Sequence, residues 1–217
     1  MLKFASIVSA VALTASVSSA AVLAEWTFEV SIPTTAGPHV AEGGVFAASS
    51  NASSNTGGAV TSPAGFGSSR AFSINGWNPT EYFEFSTSTS GYQSIAFSLA
   101  HTGSNTGPRD FAVQYSTDGV VFNSFGSYAV TNDGWNTTAT PAASLKGAFT
   151  APAAVDNLAL VYFRLAMVGT TSVNGGAFAS TGTSRIDNVV VRGVVIPEPA
   201  TLGLLAGAGI LALRRRA

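Results

Sequence analysis

The chain has no cysteine, which excludes a disulfide framework, a thiolate zinc site and a cysteine nucleophile. Charge is scarce as well: 10% of residues are Asp, Glu, Lys or Arg, against roughly a quarter in an average soluble domain. Side chains able to do acid, base or electrostatic chemistry are therefore few. Histidine occurs twice, as His39 and His101, and neither sits in a Gly-x-Ser-x-Gly turn that would present a serine nucleophile. A formal net charge of −1 excludes a globally basic nucleic-acid binder, because phosphate affinity comes from many Lys and Arg side chains. No long internal segment keeps a 3.6-residue apolar period, so no long helix is expected in the body of the chain. What is abundant is glycine, 23 of 217 residues, with serine and threonine. The length leaves room for one sizeable domain and short appendages.

The two ends differ from the middle. Lys3 is followed by an uncharged apolar stretch from Phe4 to about Val17 and then by the small residues Ser18, Ser19, Ala20 and Ala21. A basic n-region, an apolar h-region and small residues before a cleavage point make a secretory signal peptide over 1–20. Cleavage after Ala20 fits best. Cleavage after Ala24 is the second choice, and it would remove half of an alternating pattern (Val22, Ala24, Trp26, Phe28, Val30) that suits a first strand. At the other end, Pro197, Glu198 and Pro199 precede an uncharged run from Ala200 to Leu213, and Arg214, Arg215 and Arg216 follow it. A helix over that run would be roughly 21 Å long, short of the ~30 Å hydrocarbon core, which predicts a marginal or temporary transmembrane anchor. The arginines would stay cytoplasmic, leaving everything before Pro197 on the far side, the same topology that the signal peptide requires.

Pro197-Glu198-Pro199, a short apolar helix and a terminal arginine cluster resemble the PEP-CTERM sorting signal of exosortase substrates. The resemblance covers 195–217. It implies signal peptidase and exosortase as processing partners, removal of the tail, and release to the cell surface or an exopolysaccharide matrix. An ordinary tail anchor behind a proline linker is the alternative.

Between these ends, 21–194 reads as an all-β domain. Apolar residues alternate at Trp26, Phe28 and Val30, at Phe83 and Phe85, at Ile95, Phe97 and Leu99, and at Phe111, Val113 and Tyr115, which puts one strand face on a core. Asn157 to Leu165 and Ser184 to Arg192 are apolar enough to predict more fully buried strands. Turn signals separate the runs, and Ser116-Thr117-Asp118-Gly119 predicts the clearest hairpin. Ser49 to Ser69, low in bulky residues, predicts a long surface loop. Eight to ten short strands with Gly-rich connections predict two packed antiparallel sheets, a jelly-roll-like β-sandwich.

The segments Leu23 to Glu29, Glu81 to Phe85, Thr106 to Arg109, Tyr115 to Gly119 and Arg185 to Val189 resemble the ectodomain common to many PEP-CTERM proteins, itself similar to carbohydrate-binding jelly rolls. That resemblance implies a structural calcium between Phe28-Glu29 and Ile186-Asp187, with Glu29 and Asp187 as ligands. Calcium takes six to eight oxygens, so carbonyls of the 34–42 loop would complete the shell. The alternative is that both acids are edge carboxylates facing Arg185, Arg192 or solvent. Trp77 and Trp135, each flanked by asparagines, are candidate sugar platforms, because an aromatic face with a polar rim suits a glycan. Packing in a core or loop is the competing role. Arg109 and Arg164 are expected to bridge Asp110 and Glu84.

No catalytic residues are assigned. The reading is an exported, non-enzymatic surface or matrix protein, inserted in the membrane through its tail before processing and without nucleic-acid partners. A lectin-like module for exopolysaccharide is the alternative, and a secreted hydrolase a more distant one.

Overall fold

The computed structural model describes residues 19–197. Chain order runs β1 (Ala21–Trp26), β2 (His39–Val40), β3 (Asn51–Ser54), β4 (Val60–Thr61), β5 (Phe72–Ile74), β6 (Tyr82–Thr87), β7 (Tyr92–Gly103), β8 (Asp110–Ser116), β9 (Asn123–Ala129), β10 (Leu145–Thr150), β11 (Val161–Met167) and β12 (Ser184–Val195). Helix among the described residues is limited to three short 3-10 turns. One sheet has the order β10-β7-β12-β5-β4, with β1 also paired to β12, and the other the order β2-β3-β6-β11-β8-β9. All strand pairs are antiparallel. The chain crosses between sheets at most of its connections, and β8–β9 is a hairpin within one of them, as expected for a jelly-roll-like sandwich.

The two inner faces meet through rings. Trp26 of β1 lies edge-on to Phe85 of β6 at 5.2 Å, Phe85 is 5.6 Å from Phe97 of β7, and Phe97 stacks on Phe163 of β11 at 5.4 Å. Each fully buried Phe removes enough apolar surface from water to contribute about 1.5–3 kcal/mol. Strand β6 shows the period that produces this: Phe83, Phe85 and Thr87 are buried, while Tyr82, Glu84 and Ser86 on the other face are partly open. The expected ion pairs form on that outer face and beyond it, Arg164 to Glu84 at 2.7 Å and Arg109 to Asp110 at 3.0 Å.

Several expectations need correction. The first alternating run does not continue to Val30, which is 84% exposed, because the strand ends at Trp26 and Phe28 takes a φ of 58°. The Glu42 carboxylate then accepts the N–H groups of Glu29, Val30 and Ser31, supplying to this turn the partners that a strand ladder would have given. The 49–69 segment is not one long loop. Its β3 pairs with β6, setting Ala52 opposite Phe85, and β4 pairs with β5. Its small residues serve close approach: a Cβ on Gly58 would stand 1.9 Å from the Asn75 carbonyl oxygen. The hairpin after Ser116 is wider than a two-residue turn, with β9 starting at Asn123. Asp118 Oδ1 accepts the N–H of Val120 and of Val121, bonds that hold its carboxyl below the usual range, and Gly119 supplies the positive φ.

The expected sorting motif from Glu198 onward, the apolar run to Leu213, Arg214, Arg215, Arg216 and the expected signal peptide up to Ser18 lie outside the described residues, whereas Pro197 is described and exposed. Among the described residues no helix is long and apolar enough to cross a membrane.

Candidate functional site

Antiparallel register places Ser73, Arg185 and Thr102 in one row across β5, β12 and β7, and Asp187 opposite Ala100 in the next row on the same face. The intervening row, Phe72, Ile186 and His101, points into the core. This outer face is covered by two loops. The 131–136 loop is pinned by Thr102, whose hydroxyl donates to the Thr131 carbonyl at 2.9 Å and accepts the Asp133 N–H at 3.3 Å. It lays Trp135 on Ala100 and Ala71 in a small second core, with Phe66 edge-on at 5.4 Å.

Beside Trp135 the loops leave a cleft of about 480 Å³, within the size range of small-molecule and sugar sites. Arg185 and Thr102 lie on its strands, Thr183 directly precedes β12, and Asn105 and Asn132 come from two different loops. The Asn132 amide donates to Asn105 Oδ1 at 3.0 Å, which joins those loops; among the described residues the Asn105 side-chain N–H groups have no protein acceptor. Among the described residues two further donors lack protein partners: Trp135 Nε1 and Arg185 Nε, both shielded from solvent. Leaving such a group unsatisfied costs about 1–3 kcal/mol, so this corner is less settled than the rest of the sandwich. Arg185 reaches the Ala64 carbonyl with Nη1 at 3.3 Å, and its guanidinium carbon stands 5.9 Å from the Trp135 ring centre. Burial lowers its pKa from the ordinary guanidinium value.

The two tryptophans proposed as platforms thus have different surroundings. Trp77 is fully buried, donates from Nε1 to the Ile74 carbonyl at 3.0 Å, and packs edge-on against Phe83 and Phe111. It has no open face for a sugar and is a core residue, a correction to the platform assignment. Trp135 is 3% exposed, yet it borders the cleft. Its neighbours Asn105, Thr183 and Arg185 were not singled out as ligand groups. Only their meeting in space marks them, since they come from separate parts of the chain.

Glu29 and Asp187 do come together, closely enough that the charge of Glu29 helps raise the pKa of Asp187. The segment that closes over them is 65–70 rather than the expected 34–42. Phe66 N–H and the Ser68 hydroxyl donate to Asp187 Oδ2 at 2.7 and 2.8 Å, and Arg70 N–H donates to Glu29 Oε1 at 2.6 Å. Burial is the main cause that lifts Asp187 to about 6, against which the donors from Phe66, Ser68 and Asn188 work. Neither acid bridges to Arg185 or Arg192. No group of three or more acids or histidines placed for a metal occurs among the described residues.

A Ser-His contact that the sequence does not announce lies just beneath the cleft. His101 Nε2 meets Ser184 Oγ, and Nδ1 meets the Tyr128 hydroxyl at 2.7 Å. Both Ser184 and His101 are fully buried between the sheets. Burial holds the His101 pKa well below its ordinary value, with the charge of Lys146 adding to it, and pushes Tyr128 well above its own. A substrate cannot reach a serine sealed on the core face, so the pair acts as a buried polar tie between β7, β9 and β12.

No protein-family model matches the chain, and no curated protein matches it in sequence. Among solved structures it is similar to the K3 cleaved adhesin domain of Lys-gingipain from Porphyromonas gingivalis W83, at 19% identity over 79% of this chain and 98% of that one, with a TM-score of 0.45. It is also similar to TmCBM61, solved in complex with β-1,4-galactotriose, at 11% identity over 65% and 86% with a TM-score of 0.40. A third is the N-terminal cellulose-binding domain of Cellulomonas fimi β-1,4-glucanase C, at 15% identity over 68% and 90% with a TM-score of 0.37. All three likenesses are distant.

Proposed function

We propose that this chain is an exported, non-enzymatic surface or matrix protein whose β-sandwich binds polysaccharide in the cleft beside Trp135. The observation that carries the reading is the cleft itself: an indole, two loop asparagines and a strand arginine converge on one concave space at the loop-covered face of a rigid sheet. Trp135, 3% exposed, forms part of the cleft wall, and the donors and acceptors around it match a sugar, whose hydroxyls seek hydrogen bonds. Three of the groups that could do chemistry are engaged elsewhere. His101 is sealed in the core, Glu84 is held by Arg164, and Glu81 accepts the Asn78 N–H at 2.6 Å.

The test is retention of the full chain, in neutral detergent, on the producing cell's own polysaccharide. Asn105→Ala and Asn132→Ala, which leave the core untouched, are expected to weaken retention about tenfold or more, consistent with losing one or two hydrogen bonds at about 0.5–1.5 kcal/mol each. Retention unchanged in both folded variants, or absent in the parent, would end the reading.

Export and sorting belong to the same proposal and are supported by the terminal residue patterns. Signal peptidase would cleave after Ala20, and an exosortase would act at the Pro197-Glu198-Pro199 signal, so that the chain passes from the membrane to the cell surface or matrix. Replacing these three residues with alanine is expected to trap the unprocessed chain in the membrane; normal processing of that variant would refute sorting through this motif. A structural calcium at Glu29 and Asp187 completes the proposal. Its support is the mutual repulsion of the two carboxylates, which a divalent cation would relieve. The pair supplies only two of the six to eight oxygens, so carbonyls of the 65–70 segment would have to provide others.

A further inference from the structure

Arg185 is the one charged residue among those lining the cleft. Among the described residues it makes no ion pair, whereas Arg109 and Arg164 are each bonded to a carboxylate. Its nearest acid along the strand, Asp187, is turned to the N–H groups of Phe66 and Asn188 and to the Ser68 hydroxyl. Among the described residues only Nη1 of the guanidinium donors has a protein acceptor, the Ala64 carbonyl. A half-buried cation without a counter-charge is costly, and the cost falls when an anion arrives with matching geometry.

We propose that the cleft is specific for an acidic polysaccharide, with Arg185 receiving the carboxylate of a uronic acid residue while Asn105, Asn132 and Trp135 meet the rest of the sugar. The inference rests on the polysaccharide reading above and names the class of glycan. A neutral sugar would leave the Arg185 charge as it is. A uronate supplies the missing partner, its carboxylate accepting a charge-assisted hydrogen bond from the guanidinium. The net charge of the chain is slightly negative, which opposes a polyanion at long range. At physiological salt that repulsion is screened beyond about 8 Å, while a contact inside a partly dry cleft is screened much less, so the local cation decides.

The experiment is calorimetric titration of the full chain, in neutral detergent, with oligomers of galacturonate, glucuronate and mannuronate and with the carboxyl-reduced form of each. At least one acidic oligomer is expected to bind tenfold or more tightly than its reduced counterpart. Arg185→Gln should abolish that ratio while retaining the weaker binding of the reduced oligomer, and Arg185→Lys should restore part of it. A thermal melt establishes that each variant is folded, and if Arg185→Gln does not fold, the parent's ratio alone decides. Equal binding of acidic and reduced oligomers would overturn the uronate assignment and leave the polysaccharide reading intact. Binding of neither form by the parent would overturn both.

Discussion

The backbone N–H of Phe66 donates to Asp187 Oδ2 at 2.7 Å across 121 residues of chain. Phe66 in turn packs edge-on against Trp135, so one buried carboxylate on β12 fixes the loop that supports the wall of the cleft. Ser68 adds a second donor to the same oxygen, and the Asn188 amide reaches the Phe66 carbonyl at 3.3 Å. The segment that sequence composition suggests is loose is held at its end by a residue on the last strand.

The pH dependence of stability follows from that carboxylate. Asp187 has a folded pKa of about 6, above its unfolded value of about 3.9. Between those values the folded state binds more protons than the unfolded one, so this group lowers stability as pH rises from about 4 to 6 and has no further effect above that. The shift corresponds to about 3 kcal/mol at most. Asp187→Asn, which resembles the protonated form, is expected to melt higher than the parent at pH 7 and to converge with it near pH 4. A difference between the two melts that stays constant across this range would show that Asp187 does not titrate as described.

Calcium provides a second reading of the same pair. If the ion sits between Glu29 and Asp187, adding it at pH 7 should raise the melting temperature, and chelator should lower it again. The ion would also pull the Asp187 pKa down and flatten the slope just described. A melt of the metal-stripped protein that calcium leaves unmoved would dispose of the site.

His101 works in the opposite direction. Its folded pKa lies well below the ordinary 6.5, so the unfolded state takes up a proton first as pH falls. Its contribution to stability is therefore complete above about pH 6.5 and lost progressively below it. His101→Gln keeps a polar group for Ser184 and Tyr128 and cannot become charged. The variant should lose stability at pH 7 and show a shallower acid limb than the parent; an unchanged acid limb would mean that His101 does not drive it.

The two tryptophans should separate cleanly. Trp77→Ala removes a fully buried ring from the main core and is expected to cost about 3–5 kcal/mol, seen as a large drop in the denaturant midpoint. Trp135→Ala touches only the small second core and the cleft, so the loss of fold stability should be smaller and the loss of polysaccharide retention larger. If Trp77→Ala melted like the parent, its place in the core would be wrong.

Much of the strand architecture was legible in the chain. The alternation of Phe83 with Phe85 and of Ile95, Phe97 and Leu99 forecast inner faces that the structure shows, because side-chain period two admits only one core face. The ion pairs of Arg109 and Arg164 were legible too, since charge is so scarce that few partners exist. The strands β3 and β4 were not. β3 is Asn, Ala and Ser with little apolar signal and β4 is only Val60-Thr61, too short to show a period, so their strand character comes from pairing with β6 and β5.

The sequence by itself determined that the 21–194 body is all-β and where its apolar faces lie, since those are local, periodic properties. Tertiary structure alone decided that Trp77 is core and Trp135 borders a cleft, because both stand in similar Asn-rich, Gly-containing surroundings in the chain. It also decided that Arg185 lacks a counter-charge among the described residues while Asp187, two residues away, accepts from Phe66, Ser68 and Asn188. Whether a polar group is satisfied depends on which distant backbone donors reach it, and the burial that makes this matter arises only when loops from separate parts of the chain close over the same sheet face.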